Sequence, residues 1–287
     1  MPRLAYVNGR FVRQALAGVS IEDRGFQLSD GVYEVWAVFG GKLVDAEGHF
    51  ARLERSLGEL RIRMPMGRAA LTLVLREAVR RNRIDNGTVY LQVTRGVAPR
   101  DHAFPTPEPD PTLVITARET DPAAAEARAV KGVTMISQPD IRWGRCDIKT
   151  IGLLPNVLAR QAAKEQGAYE ALLIDKDGLV TEGAASNAWI IDKDGVVRTR
   201  TVKANILRGV TRLSLMDLIH EEGLKVEERP FTLEEAKNAR EAFITGAGSL
   251  ILPVVRIDDM PIGDGKPGPM ALKLRAAYIE HGRKTAI

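Results

Sequence analysis

The sequence predicts an α+β protein of two domains, on three observations. Strand patterns bunch together instead of alternating regularly with helices, which argues against a doubly wound parallel sheet. The 287 residues exceed the usual size of one domain and supply ample material for two cores. Near the middle, "ETDPAAAEARAV" (residues 119–130) is Ala-rich and lacks a large apolar residue before Val130, the composition of an exposed interdomain linker. The expected division is a domain over 1–118, a linker over 119–130 and a domain over 131–287.

Each element has its own local reason. "LAYVNGRFV" reads as two short strands around Asn8-Gly9, the dipeptide that most readily accepts the positive φ angles of a tight hairpin. "GVYEVWAVFGGKLV" repeats this around Gly40-Gly41. Alternation along that strand puts Val35 on the Tyr33 face, while Trp36, Val38, Leu91 and Val93 are expected in the core. From Glu47, the spacing of Phe50, Leu53, Leu57 and Leu60 predicts a helix with Asp45 near its start, and a second runs from Leu71 to about Arg81. "TVYLQVTRG" and "TLVITARE" return to strand, and "GVTMISQP" opens the second half. "ALLIDKDGLVTEG" and "AWIIDKDGVVRT" read as hairpins, and their shared "IDKDG" reflects two similar turns, since the period of 17 occurs once.

Composition narrows the function classes. Hydrophobic residues at 45% and charged residues at 27% describe a folded globular chain. The 41 basic against 37 acidic residues give a net charge of +4, yet the two signs are interspersed, as in "RLERSLGELRIR", so no nucleic-acid partner is expected. "MPRLAYVNGRFV" lacks an apolar signal region and no stretch approaches the roughly 20 apolar residues that span a bilayer, so the expectation is the cytoplasm with no membrane partner. Cys146 is the single cysteine, which excludes an intrachain disulfide and a cysteine-based zinc site; His49, His102, His220 and His281 show no metal-ligand spacing. No metal is expected.

The chemistry centres on "DIKTIGLLPNVLARQAAKEQG", where Lys149 stands just ahead of an amphipathic helical pattern. Its neighbours Ile148, Ile151, Leu153 and Leu154 are apolar, and such a setting disfavours the charged form of an amine. A neutral amine is a nucleophile toward carbonyls. With "AYEALLID" following, the stretch resembles that around the cofactor-bearing lysine of fold-type IV pyridoxal-phosphate enzymes, a group that includes D-amino-acid transaminases, branched-chain transaminases and aminodeoxychorismate lyase. Further matches in the same order extend the resemblance over nearly the whole chain.

The resemblance implies a two-domain fold-type IV architecture, an N-terminal antiparallel sheet with helices and a C-terminal pseudo-barrel carrying the lysine. It implies pyridoxal 5'-phosphate bound through Lys149. In "DGVYEVWAVFGGKLVDAEGHFARLERS", Arg52 of the His-x-x-Arg-Leu pattern would bind the cofactor phosphate, as suits a guanidinium fork, with His49 on the same helical face. In "LVTEGAASNAWI", Glu182 would meet the pyridine nitrogen, where a carboxylate favours the protonated ring. In "NILRGVTRLSLMDLIHEEG", Val210 and Thr211 stand just before a helical pattern, where backbone N–H groups and the helix dipole favour a phosphate. The later phosphate loop departs from the family pattern. "ITGAGSLILPV" places Gly246, Ala247 and Gly248 where hydroxyl residues are frequent, leaving backbone contacts at Gly246 and Ala247; Ala184 and Ala185 similarly replace serines.

"TRGVAPRDHAFP" resembles the D-amino-acid transaminase pattern in which an arginine, a histidine two residues on and a strand tyrosine hold the substrate carboxylate. Carried over, that trap is Tyr33, Arg100 and His102, with Val35 beside it, and either copy of a dimer could supply the loop. The implied reaction is transfer of the amino group of a D-amino acid such as D-alanine to a 2-oxo acid such as 2-oxoglutarate, in two half-reactions, by a homodimer. The alternatives are a branched-chain L-amino-acid or (R)-amine transaminase, an aminodeoxychorismate lyase-like enzyme and, outside catalysis, a basic binding module.

Overall fold

The structure, a computed structural model, describes residues 3–202 and 205–287. The chain divides into two compact units. The first comprises residues up to Asp121 together with Ile148–Gly152 and Thr285–Ile287; the second comprises Pro122–Asp147 and Leu153–Lys284.

The first unit is built on a six-stranded sheet of order β2-β1-β6-β5-β3-β4, from β1 (Leu4–Val7), β2 (Arg10–Arg13), β3 (Gly31–Phe39), β4 (Lys42–Leu43), β5 (Gly87–Thr94) and β6 (Thr112–Glu119). Every pairing in it is antiparallel. Asn8 and Gly9 take φ of 43° and 95° and close the first hairpin with Val7 opposite Arg10, the turn this dipeptide favours. The helices are α1 (Arg24–Leu28), α2 (Ala46–Glu59) and α3 (Arg68–Asn82).

The apolar stripes of α2 (Phe50, Leu53, Leu57) and α3 (Leu71, Leu75, Val79) are buried in one cluster with Val32, Trp36, Val38, Leu91 and Val93 of the sheet. Each such side chain contributes about 1.5–3 kcal/mol by leaving water. Period two along β3 therefore divides its residues: Val32, Glu34, Trp36 and Val38 are fully buried, while Tyr33 and Val35 on the opposite face are half-buried. The C-terminal residue joins this unit, with Ile287 and Leu43 exchanging backbone hydrogen bonds of 2.8 and 3.0 Å.

The second unit carries a nine-stranded mixed sheet from β7 (Val133–Pro139), β8 (Glu170–Ile174), β9 (Val180–Gly183), β10 (Asn187–Ile191), β11 (Val197–Thr199), β12 (Val226–Glu228), β13 (Glu241–Gly246), β14 (Leu250–Ile257) and β15 (Met260–Pro261). Its main path runs β12-β11-β10-β13-β14-β7-β8-β9, with β15 beside β14. Parallel pairs join β14 to β7, β7 to β8 and β11 to β12. Its helices are α4 (Pro122–Lys131), α5 (Leu154–Glu165), α6 (Val210–Glu221), α7 (Leu233–Lys237) and α8 (Pro269–Thr285).

Two expectations about organisation need correction. The stretch read as a linker over 119–130 divides between the end of β6 and α4. Pro122 opens that helix where its missing N–H is harmless, the alanines have the highest helix propensity, and Ala129 is fully buried against the second core. Small side chains there permit close packing, which composition alone could not distinguish from exposure. Lys149, expected in the C-terminal domain, belongs with Ile148–Gly152 to the first unit, because that segment bonds to β3.

Candidate active site

Lys149 is held by its backbone before its side chain does anything. Tyr33 N donates to Lys149 O at 3.0 Å, Ile151 N donates to Gly31 O at 3.1 Å, and Lys149 N donates to Ser56 Oγ of α2 at 3.4 Å. The side chain is half-buried, and Nζ lies 4.2 Å from the centroid of the Tyr33 ring. An ammonium over an aromatic face gains about 0.5–2 kcal/mol. Of the four apolar neighbours in sequence, Ile148 is buried, Ile151 and Leu153 are half-buried and Leu154 is 68% exposed. The amine thus lies against the Tyr33 ring.

Tyr33 stacks on Tyr90 at 5.6 Å between centroids and 28° between planes. Burial, with Tyr33 nearby, pushes the Tyr90 hydroxyl up to about 12, and it donates to Gln92 Oε1 at 2.7 Å. Tyr90 therefore remains a neutral wall, and it faces Val35 across the ladder.

Arg52 and His49, three apart on α2, both reach Glu34 on β3. Arg52 Nε and Nη2 donate to the two oxygens of Glu34 at 2.7 and 2.8 Å, and His49 Nδ1 lies 2.8 Å from Oε2. Burial works to raise the Glu34 carboxyl, but the Arg52 charge and the hydrogen bonds from Arg52 and His49 outweigh it and hold it at about 2. Burial lowers His49 below its ordinary 6.5 against the pull of Glu34, which favours the neutral ring. The guanidinium expected to bind phosphate is thus held in a fixed orientation by a fully buried carboxylate.

Arg100 and His102 are exposed on the segment joining β5 to β6. Among the described residues of one chain, neither hydrogen-bonds Tyr33. No hydrogen bond links the three members of the expected carboxylate trap among the described residues of one chain.

In the second unit Glu182 on β9 is 4% exposed, and its carboxylate is heavily bonded. Arg142 Nη1 donates to Oε1, Asn187 Nδ2 donates to Oε2 at 2.9 Å, and Leu207 N reaches both oxygens at 3.2 and 3.3 Å. Burial opposes the charge on Arg142, but hydrogen bonds and charge from Asp140 and Glu182 overcome it and hold the guanidinium protonated. A buried carboxylate with fixed hydrogen-bond donors is suited to a cationic ring nitrogen.

Val210 and Thr211, expected just before a helix, are its first two residues, both buried, after Gly209 as N-cap. No side chain caps that N-terminus among the described residues, so its first-turn N–H groups and dipole are available to an anion. Gly246 and Ala247 lie at the end of β13 and in its turn to β14, half-buried. The nearby Thr245 hydroxyl accepts from Trp189 Nε1 at 3.0 Å. Ala184 is buried and Ala185 exposed, and Asn156 Nδ2 donates to Ala184 O at 2.7 Å.

Sequence reasoning missed Glu34 as the partner of Arg52, and Arg142, Asn187 and Leu207 as those of Glu182. A charged residue on the core face of "GVYEVWAVF" was the available signal for Glu34. Nothing local singled out Arg142. In kind, the amine and guanidinium of the first unit suit an aldehyde and a phosphate, and the buried carboxylate and helix N-terminus of the second suit a protonated ring nitrogen and a phosphate, so the chemistry of these groups fits pyridoxal phosphate.

The chain belongs to the class IV amino-transferase family, whose family model matches residues 31–257. It is 42% identical over 273 residues to the D-alanine aminotransferase of Bacillus licheniformis, covering 94% of each chain. It is 40% identical over 276 residues to the D-alanine aminotransferase of Staphylococcus haemolyticus, covering 96% of each. Among solved structures, a T.th. branched-chain amino acid aminotransferase with pyridoxamine 5'-phosphate superposes with a TM-score of 0.88 at 28% identity, covering 98% of this chain and 94% of that one. The Escherichia coli branched-chain amino acid aminotransferase gives a TM-score of 0.87 at 22% identity, covering 98% and 95%, a likeness of fold. The fold is therefore fold-type IV. Membership of an enzyme family replaces the non-catalytic binding module as a reading of the basic charge.

Proposed function

We propose that this aminotransferase moves the amino group of a D-amino acid, D-alanine among them, to a 2-oxo acid such as 2-oxoglutarate, using pyridoxal 5'-phosphate. The observation that carries the reading is the Lys149 amine, presented over the Tyr33 ring by a backbone tied to β3 and α2. Near-40% identity to D-alanine aminotransferases over almost the full chain supports the D-amino-acid donor.

Bound pyridoxal phosphate supplies an electron-withdrawing ring that weakens the bond from the substrate Cα to hydrogen. Lys149 would hold the cofactor through Nζ, and the same amine, when free, would take the proton from the substrate Cα. Glu182, fixed by Arg142, Asn187 and Leu207 N, keeps the ring nitrogen protonated. Arg52, Val210, Thr211, Gly246 and Ala247 hold the phosphate. Tyr33, Arg100 and His102 hold the substrate carboxylate, with Val35 beside it.

Because Arg100 and His102 are exposed and do not bond Tyr33 in one copy, a homodimer in which one copy's loop serves the other is part of this reading, as is residence in the cytoplasm. A branched-chain L-amino-acid donor is the second reading, favoured by the 28% identical branched-chain structure. Initial rates with D-alanine, L-leucine and (R)-1-phenylethylamine, each with 2-oxoglutarate, decide between them. D-alanine is expected to be fastest, and a faster rate with either other donor removes the assignment. Lys149→Ala is expected to abolish the change in visible absorbance that D-alanine produces in the parent.

A further inference from the structure

Beneath the segment that carries Arg100 and His102 lies a cluster that the reaction does not account for. Two arginines, 2% and 3% exposed, share one carboxylate: Arg24 Nε donates to Asp30 Oδ2 at 2.8 Å, and Arg95 Nε and Nη2 donate to Asp30 at 2.7 and 2.9 Å. Isolated buried charges are costly, and one carboxylate balances only one guanidinium. Arg95 directs its remaining donors to Leu60 O at 2.7 Å and Arg61 O at 3.1 Å, carbonyls at the C-terminal end of α2, where the helix dipole favours a cation. Arg24 instead sends Nη1 to the carbonyl of Asp101 at 2.6 Å, and Asp101 is the residue between Arg100 and His102. The Arg95 guanidinium also lies 3.7 Å from the centroid of the Phe104 ring, two residues beyond His102. Each arginine therefore grips the exposed segment within two residues of the pair.

We propose that Arg24, Asp30 and Arg95 are positioning residues that hold the Arg100–His102 segment in the shape that receives a substrate carboxylate, and so set the strength of substrate binding. This rests on the reading of Arg100 and His102 as carboxylate ligands. A segment running from Arg95 to Pro111 without a helix or ladder strand of its own would otherwise have to be ordered when substrate binds, which weakens affinity. The buried mount does that ordering beforehand. Because it touches neither the amine nor the cofactor phosphate, its loss falls on binding rather than on the chemical step.

The test uses purified holoenzyme and Arg24→Met, which keeps the apolar stem of the side chain and removes its donors. Expected are a KM for D-alanine and an inhibition constant for acetate each raised by about tenfold or more, kcat and the visible spectrum unchanged, and faster tryptic cleavage after Arg100. Arg24→Lys should recover part of the affinity. Phe104→Ala, which removes an exposed ring and leaves the buried ion pairs intact, should shift KM in the same direction and serves if Arg24→Met does not fold. Folded variants with KM and acetate inhibition within twofold of the parent overturn the proposal, as does a fall in kcat at constant KM. A parent that is inert toward D-alanine would instead remove the functional reading, and the carboxylate role of the mount with it.

Discussion

At the scale of single residues, the orientation of Glu182 depends on the neighbours that hold its carboxylate. Asn187 donates both to Glu182 and to Leu207 O, at 2.9 and 3.0 Å, and it can do so only because position 209 lacks a side chain. A Cβ built on Gly209 would collide with Asn187 Oδ1, far inside any real contact. Gly209→Ala must therefore displace the amide and loosen its hold on Glu182. The expected result is a loss of about 1–3 kcal/mol in urea unfolding, with faster loss of cofactor on dialysis. Parent-like values for both would show that the asparagine is not a necessary support.

At the scale of elements, β3 and α2 are joined by more than apolar packing. Glu34 on the strand receives the fork of Arg52 and the ring of His49 from the helix, all in the layer that also contains Trp36, which lies 5.3 Å from the His49 ring. Removing one partner of a buried ion pair leaves the other desolvated and uncompensated, at a cost of about 3–5 kcal/mol. Glu34→Gln is therefore expected to destabilise the protein by that order and to weaken retention of the cofactor phosphate by freeing Arg52. Chemical denaturation and a cofactor titration measure the two effects. A variant as stable as the parent would mean that the amide satisfies Arg52 equally well.

At the scale of the whole molecule, these buried groups set a pH dependence of stability. Glu34 ionises at about 2 in the folded protein against an ordinary 4.5, so its contribution is complete above 4.5 and is lost as pH falls toward 2. His49 is lowered from 6.5, so below that value the unfolded chain takes a proton that the folded chain resists, and stability falls with pH there too. Glu170, whose carboxyl is raised by burial despite Arg160, acts oppositely and favours folding below 4.5. The parent should lose stability between pH 6.5 and about 2, with the Glu34 part amounting to ~3 kcal/mol. Glu34→Gln should flatten the lower half of that slope, and an unchanged slope would assign the loss to other groups. No helix among the described residues is long and apolar enough to cross a membrane, and none of their acidic, histidine or cysteine side chains cluster as a metal site.

Much of this was legible beforehand wherever structure depends on near neighbours. Alternation along "GVYEVWAVF" separated Tyr33 and Val35 from Trp36 and Val38, and threefold and fourfold spacing delimited α2, because both periods are properties of the backbone itself. The motifs around Lys149 and Glu182 likewise identified the family, since reactive groups and their adjoining turns are contiguous in the chain. What only the tertiary structure decided were contacts between distant stretches: Arg142 lies 40 positions from Glu182, and Asp30 lies 65 from Arg95. It also decided that Ala129 is buried within a helix and that Lys149 belongs with the first unit. Those outcomes depend on which surfaces meet after the chain returns on itself, and no local pattern of residues encodes that meeting.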